Sequence, residues 1–228
     1  QRQLRAHGLG LLLDIVPNHM GIESAENAWW QDVLASGAAS LYARYFDIDW
    51  SGAGGVPAGR LLLPVLGKTI AQAIADAELR LQAHGTALRL RYFDRSLPVN
   101  ARGTALALRA ASGRAAAGGT GSADLDEALA DPALVAAVAD CQHYLLCPWQ
   151  EAGSRINYRR FFDIAGLAAV RVEDPAVFRA THGLVIELVR TGMVDALRID
   201  HPDGLRDPRA YFERVQAAVA DRNGTSAA

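Results

Sequence analysis

Apolar residues along this chain follow two rhythms. From Leu9 to Val16 they run almost unbroken (LGLLLDIV), with Gly8 and Gly10 as punctuation and Pro17 immediately after. A continuous apolar run predicts a strand buried on both faces, as in a parallel sheet. Pro17 ends it, because proline cannot donate to a ladder. The polar segment ahead of it (QRQLRAHG) reads as the last turns of a helix. From Ala176 to Arg190 the spacing changes to three and four, with Val177, Phe178, Leu184, Val185, Leu188 and Val189 at the repeating positions. That predicts an amphipathic helix, opened by Asp174-Pro175 and stopped by Thr191-Gly192. Met193 to Ile199 then reads as a short strand ending at Asp200. Pro208 to Ala220 reads as a further helix with Tyr211, Phe212, Val215 and Val219 on one face. Helix, strand, polar loop and helix therefore recur at both ends, the grammar of βα-barrels and doubly wound sheets.

Residues 21–170 have a different texture. Asn27 to Trp50 is aromatic-rich and partly helical in pattern, and Ile70 to Leu79 reads as a helix. Leu61 to Leu66 reads as a short strand interrupted by Pro64, and Thr86 to Phe93 alternates as a strand does. Leu125 to Tyr144 reads as helical with a restart at Asp131-Pro132. Ala101 to Ala123 is rich in small residues, and its Gly-Gly-Thr-Gly-Ser stretch reads as a mobile linker. The expectation is a large, mostly helical insertion at 21–170 between a strand segment at 1–20 and a helix–strand–helix segment at 171–228.

Composition narrows the function classes. Half of the 228 residues are hydrophobic and 21% are charged, as in ordinary globular proteins. The net charge of −2 leaves no basic field for nucleic acid or an anionic membrane surface. No apolar run approaches the ~18 residues of a membrane-spanning helix. Cys141 and Cys147 lack companions at zinc-site or disulfide-framework spacing, so a reducing, cytoplasmic location is expected, with no metal and no cofactor. Gln1 in place of Met, and the tail after Asn223-Gly224, lead us to expect a piece cut from a longer chain.

Two segments carry candidate chemistry. Asp14, Asn18 and His19 place a carboxylate, an amide and an imidazole around a strand end, where they can converge on a polyhydroxylated ligand. The plainer alternative is a helix-capping Asn and an ordinary loop His. Arg198 and Asp200 lie two apart on a strand, so their side chains share a face. A neighbouring guanidinium favours the ionised carboxylate that a nucleophile requires. A purely structural ion pair fits the same spacing.

Together, DIVPNH and ALRIDHPDG resemble the first two signatures of the α-amylase superfamily of glycoside hydrolases. NAWWQDVLASGAASLYARYFDIDW, LLLPVLG, LRYFDRSLPV, INYRRFFDIAGLAAVRVEDPAVFRATH and GLRDP narrow the resemblance to the maltooligosyltrehalose synthase family, (1→4)-α-D-glucan 1-α-D-glucosylmutases. The resemblance implies an α/β fold holding part of a (β/α)8 TIM barrel, about strands three and four. It implies Asp200 as nucleophile, Arg198 as the residue orienting it, and His19 as a contact to the sugar, with Asp14 and Asn18 shaping that loop. His201 and Asp203 would serve the acceptor side. Asn157, Tyr158, Arg159, Arg160 and Phe161 would wall the glucan pocket. The partner implied is a maltooligosaccharide or other α-glucan, with no nucleic acid and no membrane. A retaining mechanism also needs a carboxylic acid as proton donor. Glu187 and Glu213, on expected helices, suit that role poorly, so the acid and a transition-state-stabilising Asp are expected outside this chain. Two rival readings remain at this stage: an amylase-like hydrolase or other transglucosylase, and a non-catalytic glucan-binding module.

Overall fold

The computed structural model describes residues 1–116 and 122–220. The Gly-Gly-Thr-Gly part of the expected linker and the expected tail lie outside the described residues. From the N-terminus the elements are α1 (Arg2–Ala6), β1 (Leu12–Ile15), β2 (His19–Gly21), α2 (Ala28–Ser36), β3 (Leu61–Leu66) and α3 (Ile70–Ala75). There follow β4 (Leu79–His84), β5 (Ala87–Tyr92), β6 (Arg95–Pro98), α4 (Ala101–Ala116), α5 (Ser122–Leu129) and α6 (Pro132–Asp140). The order closes with β7 (Tyr144–Pro148), α7 (Ala152–Arg155), β8 (Arg160–Phe161), β9 (Ile164–Ala169), α8 (Pro175–Arg190), β10 (Ala196–Ile199) and α9 (Pro208–Ala220). The fold is mixed α/β and divides into two compact units. One comprises Gln1–Met20, Arg44–Asp47 and the chain from Ala169 onward; the other comprises Gly21–Ala43 and Ile48–Ala168. Among the described residues no helix is long and apolar enough to cross a membrane.

In the first unit β1 and β10 pair in parallel, with Asp14 opposite Arg198 and Ile15 opposite Ile199. The expected burial of this strand on both faces is not found: Leu12 is 57% exposed and alternate residues of β1 face solvent. Among the described residues its sheet has only the two strands β1 and β10. Helix α8 begins where the sequence indicates. The Asp174 carboxylate accepts from Ala176 N–H at 2.8 Å and Pro175 opens the first turn. Helix α9 packs on α8 through Phe178, His182 and Tyr211. The His182 ring stacks on Phe178 at 4.4 Å and its Nε2 lies 2.8 Å from the Tyr211 hydroxyl. Arg214 covers the Phe178 ring at 5.3 Å and donates to the Val172 carbonyl.

The second unit corrects the expectation of a mostly helical insertion. It holds a parallel β3–β7 pair, an antiparallel β4–β5–β6 sheet and the β8–β9 hairpin alongside its helices. Pro64 does not interrupt β3. Both strands of a two-stranded sheet are edges, where a missing N–H costs no ladder bond, and the register shifts just after Pro64. The helix expected over Ile70 to Leu79 stops at Ala75, and Leu79 instead opens β4, which pairs antiparallel with β5. Trp30, Leu34, Leu61, Leu62, Leu90 and Tyr144 are among the fully buried side chains of this unit.

Candidate active site

The parallel register of β1 and β10 builds the site. Partners across a parallel pair point to the same face, as do residues two apart on one strand. Asp14, Arg198 and Asp200 therefore share a face, and the guanidinium joins the two carboxylates. Arg198 Nη1 donates to Asp14 Oδ2 at 2.5 Å and Nη2 to Asp200 Oδ1 at 2.9 Å. Charge-assisted bonds of this kind fix direction as well as energy. The hydrogen bond it donates to Asp14, with the charges of Asp14 and Asp200, holds the guanidinium pKa above its ordinary value. The other oxygen of Asp200 lies 3.6 Å from His201 Nε2, and the Asp200 amide donates to the Ile15 carbonyl at 2.9 Å. Asp200 is thus held by the Arg198 guanidinium and by its own amide at the point where β10 ends, with the His201 ring beside it.

The loop after Pro17 meets the loop after Asp200. Asn18 is only 3% exposed; its Nδ2 donates to the His201 carbonyl at 2.9 Å and its Oδ1 lies 2.6 Å from His19 Nδ1. Burial, and then the nearby His201, lower the His19 pKa, while the charge of Asp200 works in the opposite direction. His201 adopts left-handed backbone angles, φ 49° and ψ 52°, uncommon for a residue with a side chain. The turn Pro202–Gly204 follows, with Asp203 exposed.

Of the residues singled out from sequence, Asp14, Asn18, His19, Arg198, Asp200 and His201 form this one network in the first unit. Asp203 lies outside the network, exposed in the turn that follows it, and Tyr158, Arg159 and Arg160 belong to the second unit. Tyr158 is buried there, edge-on to Trp30 at 5.5 Å, with its hydroxyl donating to the Ala165 carbonyl at 2.6 Å. Burial drives its pKa upward. Asn157 pins backbone, accepting from Leu62 N–H at 2.9 Å and donating to the carbonyls of Asp49 and Arg60 at 2.8 Å each. Arg160 pairs with Asp163 at 2.6 Å, and Arg159 is exposed.

Sequence reasoning missed Gly204. A Cβ there would stand 2.1 Å from Asn18 Nδ2, so only glycine admits the amide. The signal was present as a glycine two residues beyond Pro202, but its reason lies far away in the chain, at Asn18. Among the described residues no cluster of His, Cys, Asp and Glu is arranged to hold a metal ion.

No protein-family model matches the chain. It is 40% identical over 214 residues to a protein of Mycobacterium tuberculosis that carries the name maltooligosyl trehalose synthase, matching 93% of this chain and 22% of that protein. The solved maltooligosyltrehalose synthase of Arthrobacter ramosus is similar with a TM-score of 0.72 at 40% identity, across 96% of this chain and 24% of that one. A solved glycosyltrehalose synthase, designated DSM5389, reaches a TM-score of 0.76 at 29% identity, across 96% of this chain and 26% of its own. The chain thus spans about a quarter of the length of the relatives it matches.

Proposed function

From the likeness to maltooligosyltrehalose synthases as premise, we propose that this chain supplies the nucleophile-bearing part of a retaining intramolecular transglucosylase. The reaction converts the reducing-end α-1,4 linkage of a maltooligosaccharide into an α,α-1,1 linkage, leaving a trehalose end. The observation that carries this reading is the Asp14–Arg198–Asp200 bridge at the end of a parallel strand, within a segment 40% identical to the Mycobacterium tuberculosis and Arthrobacter ramosus proteins. In this reading β1 and β10 are adjacent strands, about three and four, of a (β/α)8 barrel whose active site gathers at the strands' C-terminal ends. Residues 1–20 and 171–228 belong to the barrel and 21–170 are inserted between its strands.

Asp200 attacks the anomeric carbon of the penultimate glucose, and the C1–O bond to the terminal glucose breaks as a proton passes to the departing oxygen. The anomeric hydroxyl of the released glucose then attacks the glucosyl ester, returns its proton to the acid/base, and frees Asp200. Arg198 keeps one Asp200 oxygen fixed so that the other faces the sugar, and His19 contacts the sugar that becomes esterified. His201 and Asp203 serve the departing glucose. Arg159 and Arg160 contact the glucan, with the buried Tyr158 holding the turn that carries them. The proton donor of a retaining pair stands about 5–5.5 Å from the nucleophile. Asp14 is engaged through Oδ2 with the Arg198 guanidinium, so we assign that role to the part of the relatives' length that this chain does not match. Exclusion of water favours transfer over hydrolysis.

The test is to graft residues 1–220 into the Arthrobacter ramosus enzyme in place of its matching quarter and supply maltopentaose. The graft is expected to form a non-reducing trehalose end. Asp200→Asn should lower turnover by at least about 10³-fold, as loss of a covalent nucleophile does. The 228-residue chain alone should give no turnover, because proton donation is worth about 10²–10⁴ in rate. Release of free glucose as the main product would instead favour an amylase-like hydrolase. Unchanged turnover in Asp200→Asn would overturn the assignment.

A further inference from the structure

We propose that Asn18 is a positioning residue whose amide sets which nitrogen of His19 carries the proton, and couples that choice to the backbone of the loop after Asp200. The His201 carbonyl can only accept a hydrogen bond, so the Asn18 atom 2.9 Å from it must be the donating Nδ2. That fixes the direction of the amide. Its Oδ1, which can only accept, then faces His19 Nδ1 at 2.6 Å, and Nδ1 must carry the hydrogen. A neutral imidazole has one N–H, so Nε2 carries the lone pair.

Two features keep the amide from turning over. Asn18 is 3% exposed, so water cannot replace either bond. Gly204 presses on it: an added Cβ would lie 2.1 Å from Nδ2 and 3.2 Å from Cγ, so the loop leaves room for the amide in this position only by lacking a side chain. The left-handed His201 turns its carbonyl toward β1's loop, and the bond from Asn18 helps to hold that costly conformation. The titratable groups acting on His19 are Asp200 and His201. The consequence for ligand chemistry rests on the function proposed above: His19 meets a sugar as an acceptor at Nε2, receiving a hydrogen bond from a hydroxyl rather than donating one. The tautomer itself does not depend on that reading.

The experiment is long-range ¹H–¹⁵N correlation on the ¹⁵N-labelled 228-residue chain at pH 8, with His19→Gln to assign the His19 signals. The expected result is the Nδ1–H tautomer of His19 in roughly tenfold excess, the ratio one hydrogen bond of ordinary net strength sustains. Free histidine favours the opposite form. Asn18→Ala, or Gly204→Ala where the first fails to fold, should erase that excess. A purely structural Asn18 would leave the tautomer ratio unmoved. A wild-type chain in the Nε2–H form, or an excess that survives both variants, overturns the proposal. Maltopentaose added to the same sample separates the two readings. A shift of Nε2 supports both; an Nδ1–H tautomer with no response to the sugar upholds the relay and counts against a glucan site at His19.

Discussion

Arg198 serves two carboxylates with one planar group, and that geometry is what a lysine cannot copy. In the grafted enzyme, Arg198→Lys should leave the fold intact and lower kcat by about 10²-fold, the scale on which misplacing a reacting group is felt. Steady-state kinetics on maltopentaose would decide it, and a change confined to KM would argue that Arg198 only binds. A second residue-scale prediction concerns acid. His182 is clamped between the Thr181 hydroxyl and Tyr211, each at 2.8 Å, and burial lowers its pKa below 6.5. His19 is lowered as well. As pH falls through 6.5 the unfolded chain takes up these protons before the folded one, so stability declines and then levels off once the folded groups also titrate. Urea unfolding at pH 8 and pH 5.5 should show the loss. His182→Gln should make it smaller without abolishing it, since His19 still contributes.

At the scale of elements, one helix ending is built twice with different residues. After α8, Met193 N–H bonds the Leu188 carbonyl at 2.8 Å and Gly192 N–H the Val189 carbonyl at 3.0 Å, with Gly192 at φ 68°. After α3, Glu78 N–H bonds the Ala73 carbonyl at 2.9 Å and Ala77 N–H the Ile74 carbonyl at 3.0 Å, with Ala77 at φ 54°. Both are Schellman endings, in which the left-handed residue is normally glycine. Ala77→Gly should therefore stabilise by about 0.5–1 kcal/mol and Gly192→Ala should destabilise by about 1–2 kcal/mol, both read by chemical denaturation. The glycine-marked ending was legible in the sequence, and α8 stops where Thr191-Gly192 says. The alanine-marked one is not, because nothing in the pattern stops a helix at Ala75 and Leu79 continues its apolar spacing although it opens β4. The site divides the same way. Arg198 with Asp200, and Asn18 with His19, are neighbours in sequence and could be read directly. Asp14 as the anchor of Arg198, and Gly204 as the seat of Asn18, depend on contacts across more than 180 positions that no local pattern encodes.

For the molecule as a whole, the apolar run around β1 is notable for its exposure. Leu9, Leu11, Leu12 and Val16 all face solvent, a row of contacts suited to self-association. Leu12→Glu should shift stability by no more than about 0.5 kcal/mol while reducing concentration-dependent association in sedimentation velocity. A large loss of stability would mean that Leu12 is packed in solution. The chain also contains a single lysine, Lys68. Its ammonium bridges Asp76 at 2.8 Å and Glu78 at 2.7 Å, across the very ending of α3 that Ala77 strains. A lysine-specific protease consequently has one place to cut, and must first open this clasp to reach it. The appearance of just two fragments, timed against added urea, turns that corner of the second unit into a built-in gauge of local opening. The gauge needs no label and no ligand.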